Sequence, residues 1–185
     1  MPGHRVLYII ICAAGPAAQA VRLVTAATER GWDVCVIATP AAVEGDFIDV
    51  PALEAASGRP VRSGWRRAGE QKRNPPADAV IVAPMTMNTA NKWAAGITDT
   101  YALGVLAEAV GLGIPVVALS FWSTALDAHP ATRRSVEVLR GTGIRVLYGE
   151  GEWTPHAPGT GGLQMAAYPW HIVLEAAESA PTPHA

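Results

Sequence analysis

The sequence predicts an α/β fold built on a doubly wound parallel sheet in a single domain. Three observations carry that expectation. Short apolar runs with β-branched residues recur at Arg5–Cys12, Asp33–Ala38, Ala79–Ala83, Pro115–Leu119 and Arg145–Tyr148. Continuous runs of this length suit strands buried on both faces of a parallel sheet. Segments of helical pattern with Gly and Pro stop signals lie between them, so strand and helix alternate, as a doubly wound sheet requires. Finally, polar residues follow the strands, and open α/β sheets bind ligands outside their strands' carboxyl ends.

Arg5–Cys12 opens the sheet. Ala13-Ala-Gly-Pro16 then turns into a helix that runs to Arg30, with Pro16 near its first position and Gly31 as its stop. The small residues at its start suit either close helix–sheet packing or the approach of a ligand phosphate to backbone N–H groups. The second strand, Asp33–Ala38, ends in Thr39-Pro40-Ala-Ala, and a helix begins near Phe47 to Leu53. Val61 is expected on a short third strand. Residues 62–76 are charged and irregular, and loops of that length inside a domain are functional or mobile. Arg66 and Arg67 within it read as a solvated charge cluster or as an anion contact.

Ala79–Ala83 is the central strand. It is expected to stop at Pro84, which cannot donate to a ladder, leaving Met85–Thr89 as a loop and Asn88 or Thr89 as the cap of a helix to about Gly96. The polar set at this loop fits a ligand site, or simply a capped connection. A helix over Thr100–Val110, a strand over Pro115–Leu119 and the loop Ser120-Phe-Trp122-Ser123-Thr124 follow. A helix from Pro130 to Arg140 and a strand at Arg145–Tyr148 complete the alternation. Residues 149–162 are rich in Gly and Pro, and a terminal helix spans Trp170–Glu178. The domain is expected over 1–179, with 180–185 a frayed tail. Residues 13–17, 39–47, 84–89 and 119–124 are then expected to meet at one edge.

The 185 residues carry 14 basic and 16 acidic side chains, a formal charge of −2, so neither nucleic acid nor a membrane surface is an expected partner. A small molecule or another copy of the chain fits better. Cys12 and Cys35 lie apart in apolar runs and are expected as buried thiols in a reducing cytoplasm. The histidines show no metal-ligand spacing, so no metal is expected. The apolar run after His4-Arg5 is too short to cross a bilayer. Six Trp is a high count, and Trp65, Trp122 and Trp153 in loops suit a ligand wall or a subunit interface, while Trp93, on the helix after Asn88, is a candidate interface or ring-stacking residue or else part of the core. GxGxxG, GxSxG and Walker A patterns are all absent.

The run Pro84-Met-Thr-Met-Asn-Thr89, followed by Gly96-Ile-Thr-Asp99, resembles the Pro-x-Ser-Ala-Asn-Thr and Gly-Ile-x-Asp segments of the homo-oligomeric flavin-containing cysteine decarboxylases. That family includes phosphopantothenoylcysteine decarboxylase and the lantibiotic-type peptidyl-cysteine decarboxylases. Ala14-Gly15-Pro16-Ala17-Ala18 lies where the family has Gly-Ser-x-Ala-Ala, and Thr39-Pro-Ala-Ala with Phe47 where it has Thr-x-Ser and Phe. Gly161-Gly-Leu-Gln-Met165-Ala is similar to its C-terminal clamp. The resemblance implies a three-layer Rossmann-like, flavodoxin-type fold that binds FMN and assembles as a homotrimer or dodecamer. It further implies a small-molecule or peptide thiol substrate. The cofactor-binding residues it implies are Gly15, Pro16, Ala17, Thr39, Phe47, Met85, Thr86, Met87, Asn88, Thr89 and Ser120.

The chain departs from the family where the chemistry lies. Counting back from Pro84, Glu70 stands where the family has its catalytic His, and Ser123 stands where its substrate motif has Asn. Glu70, Asn88 and Ser123 are therefore the candidate catalytic residues. A divergent cysteine-decarboxylase-type lyase is the expected function. An FMN-dependent reductase or electron carrier, or a non-catalytic flavin-binding subunit, are the alternatives.

Overall fold

The computed structural model describes residues 5–69 and 74–180. Glu70, the first candidate catalytic residue, lies outside the described residues.

Five parallel strands form one sheet, β1 (Val6–Ile11), β2 (Asp33–Ala38), β3 (Ala79–Met85), β4 (Val116–Ser120) and β5 (Arg145–Leu147), in the order β2-β1-β3-β4-β5. The doubly wound reading therefore holds. β1 pairs with β2 from Val6↔Asp33 to Ile11↔Ala38 and with β3 from Leu7↔Ala79 to Ile10↔Val82. Each strand is buried on both faces, and the period of two sorts its side chains. Leu7, Ile9 and Ile11 enter one core with Val34, Val36, Ile81, Val117 and Leu119. Tyr8, Ile10 and Cys12 enter the other with Cys35, Ile37, Val80, Val82, Val116 and Ala118.

Helices cover both cores. The first is closed by α1 (Val21–Glu29), α3 (Val50–Ser57) and α9 (Trp170–Glu178), which bring Leu23, Val24, Leu53, Val173 and Leu174. The second is closed by α4 (Met87–Ala94), α5 (Tyr101–Gly111) and α7 (Pro130–Gly141), which bring Ala90, Trp93, Leu103, Leu106, Val136 and Leu139. Of the two places open to Trp93, the structure puts it in the core. Three short helices complete the chain: α2 (Pro40–Glu44), α6 (Thr124–Asp127) and α8 (Gly161–Met165).

The structure corrects several boundaries. The helix expected from Pro16 to Arg30 is a 3-10 turn, Gly15–Gln19, followed by α1, because Ala20 N donates to Ala17 O at 3.0 Å and tightens the chain there. The expected third strand at Val61 is a single bridge between Ile37 and Arg62. The helix expected to begin within Phe47–Leu53 does so, at Val50, where the Asp49 carboxylate accepts from Ala52 N at 2.9 Å.

The most consequential correction concerns Pro84. β3 continues through a cis Ala83–Pro84 peptide to Met85, whose partner is Ser120. Pro84 has no N–H to give, but its carbonyl accepts from Cys12 N at 3.2 Å, and Met85 O accepts from Phe121 N at 2.9 Å, so the ladder persists. The cap of α4 is consequently Thr86, two residues before the earliest expected position. Its hydroxyl accepts from Thr89 N at 3.3 Å.

Candidate functional site

The sheet order reverses direction between β1 and β3, because the chain leaves β1 outward to β2 and then returns to β3 on the other side. At such a switch point the loops leaving neighbouring strands diverge to opposite faces and open a crevice, and in the order 2-1-3-4-5 this crevice is a recurrent ligand site. Here it is a cavity of about 540 Å³, within the range of about 300–1,000 Å³ common to small-molecule and cofactor sites. Ala13, Ala14 and Gly15 line it from the end of β1, and Thr86, Met87, Asn88 and Asn91 from the end of β3 and the start of α4. Phe121, Trp122, Ser123 and Leu126 come from the end of β4, and His156 from the long segment before α8.

Another cavity, of about 580 Å³, opens at the opposite edge of the sheet between Ile114–Val117, Thr142–Arg145 and Ala176–Ala180. It lies at the strands' amino ends, and none of its lining side chains holds a buried polar atom without a partner. The switch-point cavity has two. Asn91 Oδ1 and His156 Nδ1 are both buried and make no hydrogen bond among the described residues. Four further atoms of this kind, on Arg5, Gln19, Asn74 and Trp170, lie outside this cavity. No Lys, Arg, Asp or Glu is among the described residues lining the cavity, and His156 is the one imidazole among them.

Local sequence explains how each wall is held. On α4, Asn88 and Asn91 are three residues apart and so share one face. Thr86 fixes the helix start by accepting from Thr89 N and by its hydroxyl contact with Thr89 Oγ1 at 3.1 Å. Beneath that turn lies Cys12, fully buried. Burial pushes its thiol up, offset in part by hydrogen bonding to Thr89 and Thr86. Gly15 has no room for a side chain, since a Cβ there would stand 2.7 Å from Met165 Sδ and 3.6 Å from Phe121. The first turn of the chain and α8 therefore close on one another at the cavity's rim.

The β4 wall rests on aromatic packing. Phe121 meets His156 edge to face at 4.8 Å and Tyr168 at 5.7 Å, and Tyr168 in turn packs on Trp153 and Trp170. Tyr168 is wholly buried, donates to Leu119 O at 2.8 Å, and has its hydroxyl pushed well above the usual phenol range by that burial. The orientation of Trp122 is set by Asp127, whose Oδ1 accepts from its indole at 3.1 Å and from Tyr148 Oη at 2.6 Å. Ser123 caps α6 by accepting from Leu126 N at 3.4 Å. His156 is tied to this wall through its backbone, which bridges Ser123 and accepts from Thr124 N at 2.8 Å.

Of the residues singled out in the sequence, Gly15, Thr86, Met87, Asn88 and Ser123 line the cavity. Pro16 and Ala17 are buried in the adjoining turn. Thr39 lies on the same edge, its N–H donating to Ile11 O at 2.9 Å, and Phe47 is exposed beyond it. Neither lines the cavity. The side chains of Met85, Thr89 and Ser120 are buried under the site rather than in its wall. Trp122 is a cavity wall, Trp153 packs on Tyr168, and Trp65 is exposed against Tyr101 and Gly104, away from the cavity. Sequence reading missed Asn91 and His156. Asn91 is readable only as the next residue on the face of Asn88, and His156 sits in a Gly/Pro-rich stretch with no periodicity to place it.

Comparison with known proteins agrees with this fold. The profile of the family described as Flavoprotein matches residues 1–169. The bifunctional coenzyme A biosynthesis protein CoaBC of Thermococcus kodakarensis is 30% identical over 138 residues, 71% of this chain and 33% of that protein. The chain thus spans about a third of that relative's length. Among solved structures, the FMN-dependent cysteine decarboxylase TvaF of thioviridamide biosynthesis superposes with a TM-score of 0.66 at 21% identity, covering 96% of this chain and 100% of that one. The FMN binding protein AtHal3 superposes with a TM-score of 0.66 at 18% identity, covering 97% and 100%. At such identities the likeness is one of fold.

Proposed function

The chain belongs to the flavoprotein family, and from that premise we propose that it binds FMN in the switch-point cavity and oxidatively decarboxylates a cysteine-type thiol substrate. One observation carries the reading: a cavity of about 540 Å³ opens at the β1/β3 switch point, lined by Asn88, Asn91 and Ser123 beside Phe121 and Trp122. Its residues fit a flavin. Met87, Phe121, Trp122 and Leu126 offer apolar surface to a planar ring system, and Asn88, Asn91 and Ser123 offer hydrogen bonds to ring heteroatoms. The phosphate belongs to the turn at Gly15, Pro16 and Ala17 with Thr39, where backbone N–H groups and a hydroxyl stand in for cationic side chains. Phe47, Met85, Thr86, Met87, Thr89 and Ser120 belong to the same reading, the buried ones as support for the floor of the site.

A bound flavin supplies a two-electron acceptor. The chain's own part is to hold the substrate thiol beside it and to keep water out of a cavity walled by Phe121 and Trp122. The absence of a fixed cation among the described lining residues suits loss of CO₂, since a substrate carboxylate brought there without a counter-ion is destabilised relative to the neutral gas that leaves. Support for the thiol class comes from the similarity to a cysteine decarboxylase and to a coenzyme A biosynthesis protein. We also propose assembly as a homotrimer or dodecamer. Phe47, Trp65, Ile97, Leu126 and Leu163 are large apolar side chains left exposed on the subunit, and Leu126 lies at the cavity itself.

A second reading is flavin binding without decarboxylation, on this fold, as a reductase or a binding subunit. It is favoured by Glu70 standing where the resembling family has its catalytic His. Titration of the purified protein with FMN by fluorescence, followed by anaerobic mixing with a cysteine-terminated peptide or NAD(P)H, separates the readings. Bleaching by the thiol supports decarboxylation, and bleaching by the nicotinamide alone supports a reductase.

A further inference from the structure

We propose that Asp127 is a positioning residue of the switch-point cavity: its carboxylate takes the indole N–H of Trp122 away from the cavity, so that Trp122 meets a bound ligand with hydrocarbon alone. The inference rests on the flavin-binding reading above and says how this chain keeps one wall of that site apolar.

Tryptophan has a single polar atom, and it only donates. A buried indole N–H is ordinarily paired, so the place of its acceptor decides which edge of the ring borders a cavity. Trp122 is buried and lines the cavity. Its Nε1 donates to Asp127 Oδ1 at 3.1 Å, and Asp127 is not among the described residues lining that cavity. The N–H is therefore turned from the space that its ring borders.

The acceptor is itself held from several sides. α6 folds the chain back from the end of β4, with Asp127 N donating to Ser123 O at 2.9 Å, and this returns the carboxylate to Trp122. Thr132 Oγ1 donates to Leu126 O at 2.8 Å and ties that turn to α7. Just past β5, Tyr148 Oη donates to the same Oδ1 at 2.6 Å, and its ring packs on Trp122 with centroids 5.5 Å apart. A carboxylate suits this place because it only accepts, and so it takes two neutral donors without offering a hydrogen of its own. Without it, the polar partners left to the indole include Asn88, Asn91 and Ser123 on the cavity's own walls.

The test is a fluorescence titration with FMN of wild type, Asp127→Leu, Asp127→Asn, Tyr148→Phe, Trp122→Phe and the double variant of Trp122→Phe with Asp127→Leu. We expect Asp127→Leu to weaken FMN binding about fivefold or more in wild type and by less than about twofold in the Trp122→Phe background, where no N–H is left to hold. Asp127→Asn keeps an oxygen that accepts the same bonds, and Tyr148→Phe removes only the other donor, so both should bind FMN within about twofold of wild type. Equal losses from Asp127→Leu in the two backgrounds, or a Tyr148→Phe as weak as Asp127→Leu, overturn the proposal, since a carboxylate that merely braces the fold gives those results. Hydrogen exchange of the Trp122 indole N–H, followed by NMR in wild type, needs no variant. Protection that is present in the free protein and unchanged by FMN is expected, and protection that arises only with FMN overturns the proposal. A wild type that does not bind FMN overturns the flavin-binding reading, and the role of Asp127 with it; every other adverse result leaves that reading standing.

Discussion

Gly161 lies so close to the imidazole of His156 that a methyl group on it would stand 2.6 Å from Nε2. Gly161 is the first residue of α8 and does not need the left-handed backbone conformation, so alanine is tolerated there by the chain and refused only by the ring. Gly161→Ala should therefore displace His156 while leaving the fold intact. We expect weaker FMN binding in a fluorescence titration, because His156 lines the cavity, with the thermal midpoint little changed. An unaltered affinity would show that the ring's position is of no consequence.

Gly15 and Met165 make the second close approach, 2.7 Å from an added Cβ to the sulfur. Methionine is flexible, so Gly15→Ala should cost little stability and act mainly by pushing α8 off the first turn. Weaker FMN binding is expected, and Met165→Ala in the same chain should restore part of it. Strict additivity of the two changes in a fluorescence titration would count against the contact.

Thr86 is both cap and cavity wall. Thr86→Ala removes the acceptor for Thr89 N and should cost about 1 kcal/mol, or about 2–4 °C in thermal midpoint for a domain of this size. Thr86→Ser should retain most of that stability, which calorimetry can check.

Alkaline stability follows from a buried thiol and a half-buried phenol. Burial pushes the Cys35 thiol from 9.0 up to about 11, and burial with the hydrogen bond to Asp127 pushes the Tyr148 hydroxyl from 10.0 up to about 12. Both folded values exceed the unfolded ones, so the folded chain holds these protons more tightly. The stability they confer is complete below the unfolded values and is lost as pH rises through the folded ones. The urea midpoint should fall between pH 9 and 12, and Tyr148→Phe should flatten the upper part of that fall. A midpoint independent of pH across that window would contradict the assignment.

How much of this was legible in the sequence varies with the range of the forces involved. β1, β2, β4 and β5 could be read from local apolar runs because burial on both faces leaves a local signal. The continuation of β3 through Pro84 could not. It depends on Cys12 and Phe121, which approach only after the sheet has formed. The loops at Gly15, Thr86 and Ser123 were placed correctly at one edge, since parallel strands put their carboxyl ends together. Asn91 and His156 escaped for different reasons. The first is set by helical rotation from Asn88, and the second by a bridge to Ser123 across 33 positions of chain.

The central claim, that this flavoprotein oxidises a cysteine-type thiol in the switch-point cavity, is tested most directly by one measurement: anaerobic mixing of the FMN-loaded chain with a cysteine-terminated peptide, following flavin absorbance and peptide mass together. The account predicts bleaching of the flavin and a peptide lighter by one CO₂ and two hydrogens. A chain that stays colourless with added FMN, or a flavin that stays oxidised over an unchanged peptide, would contradict it.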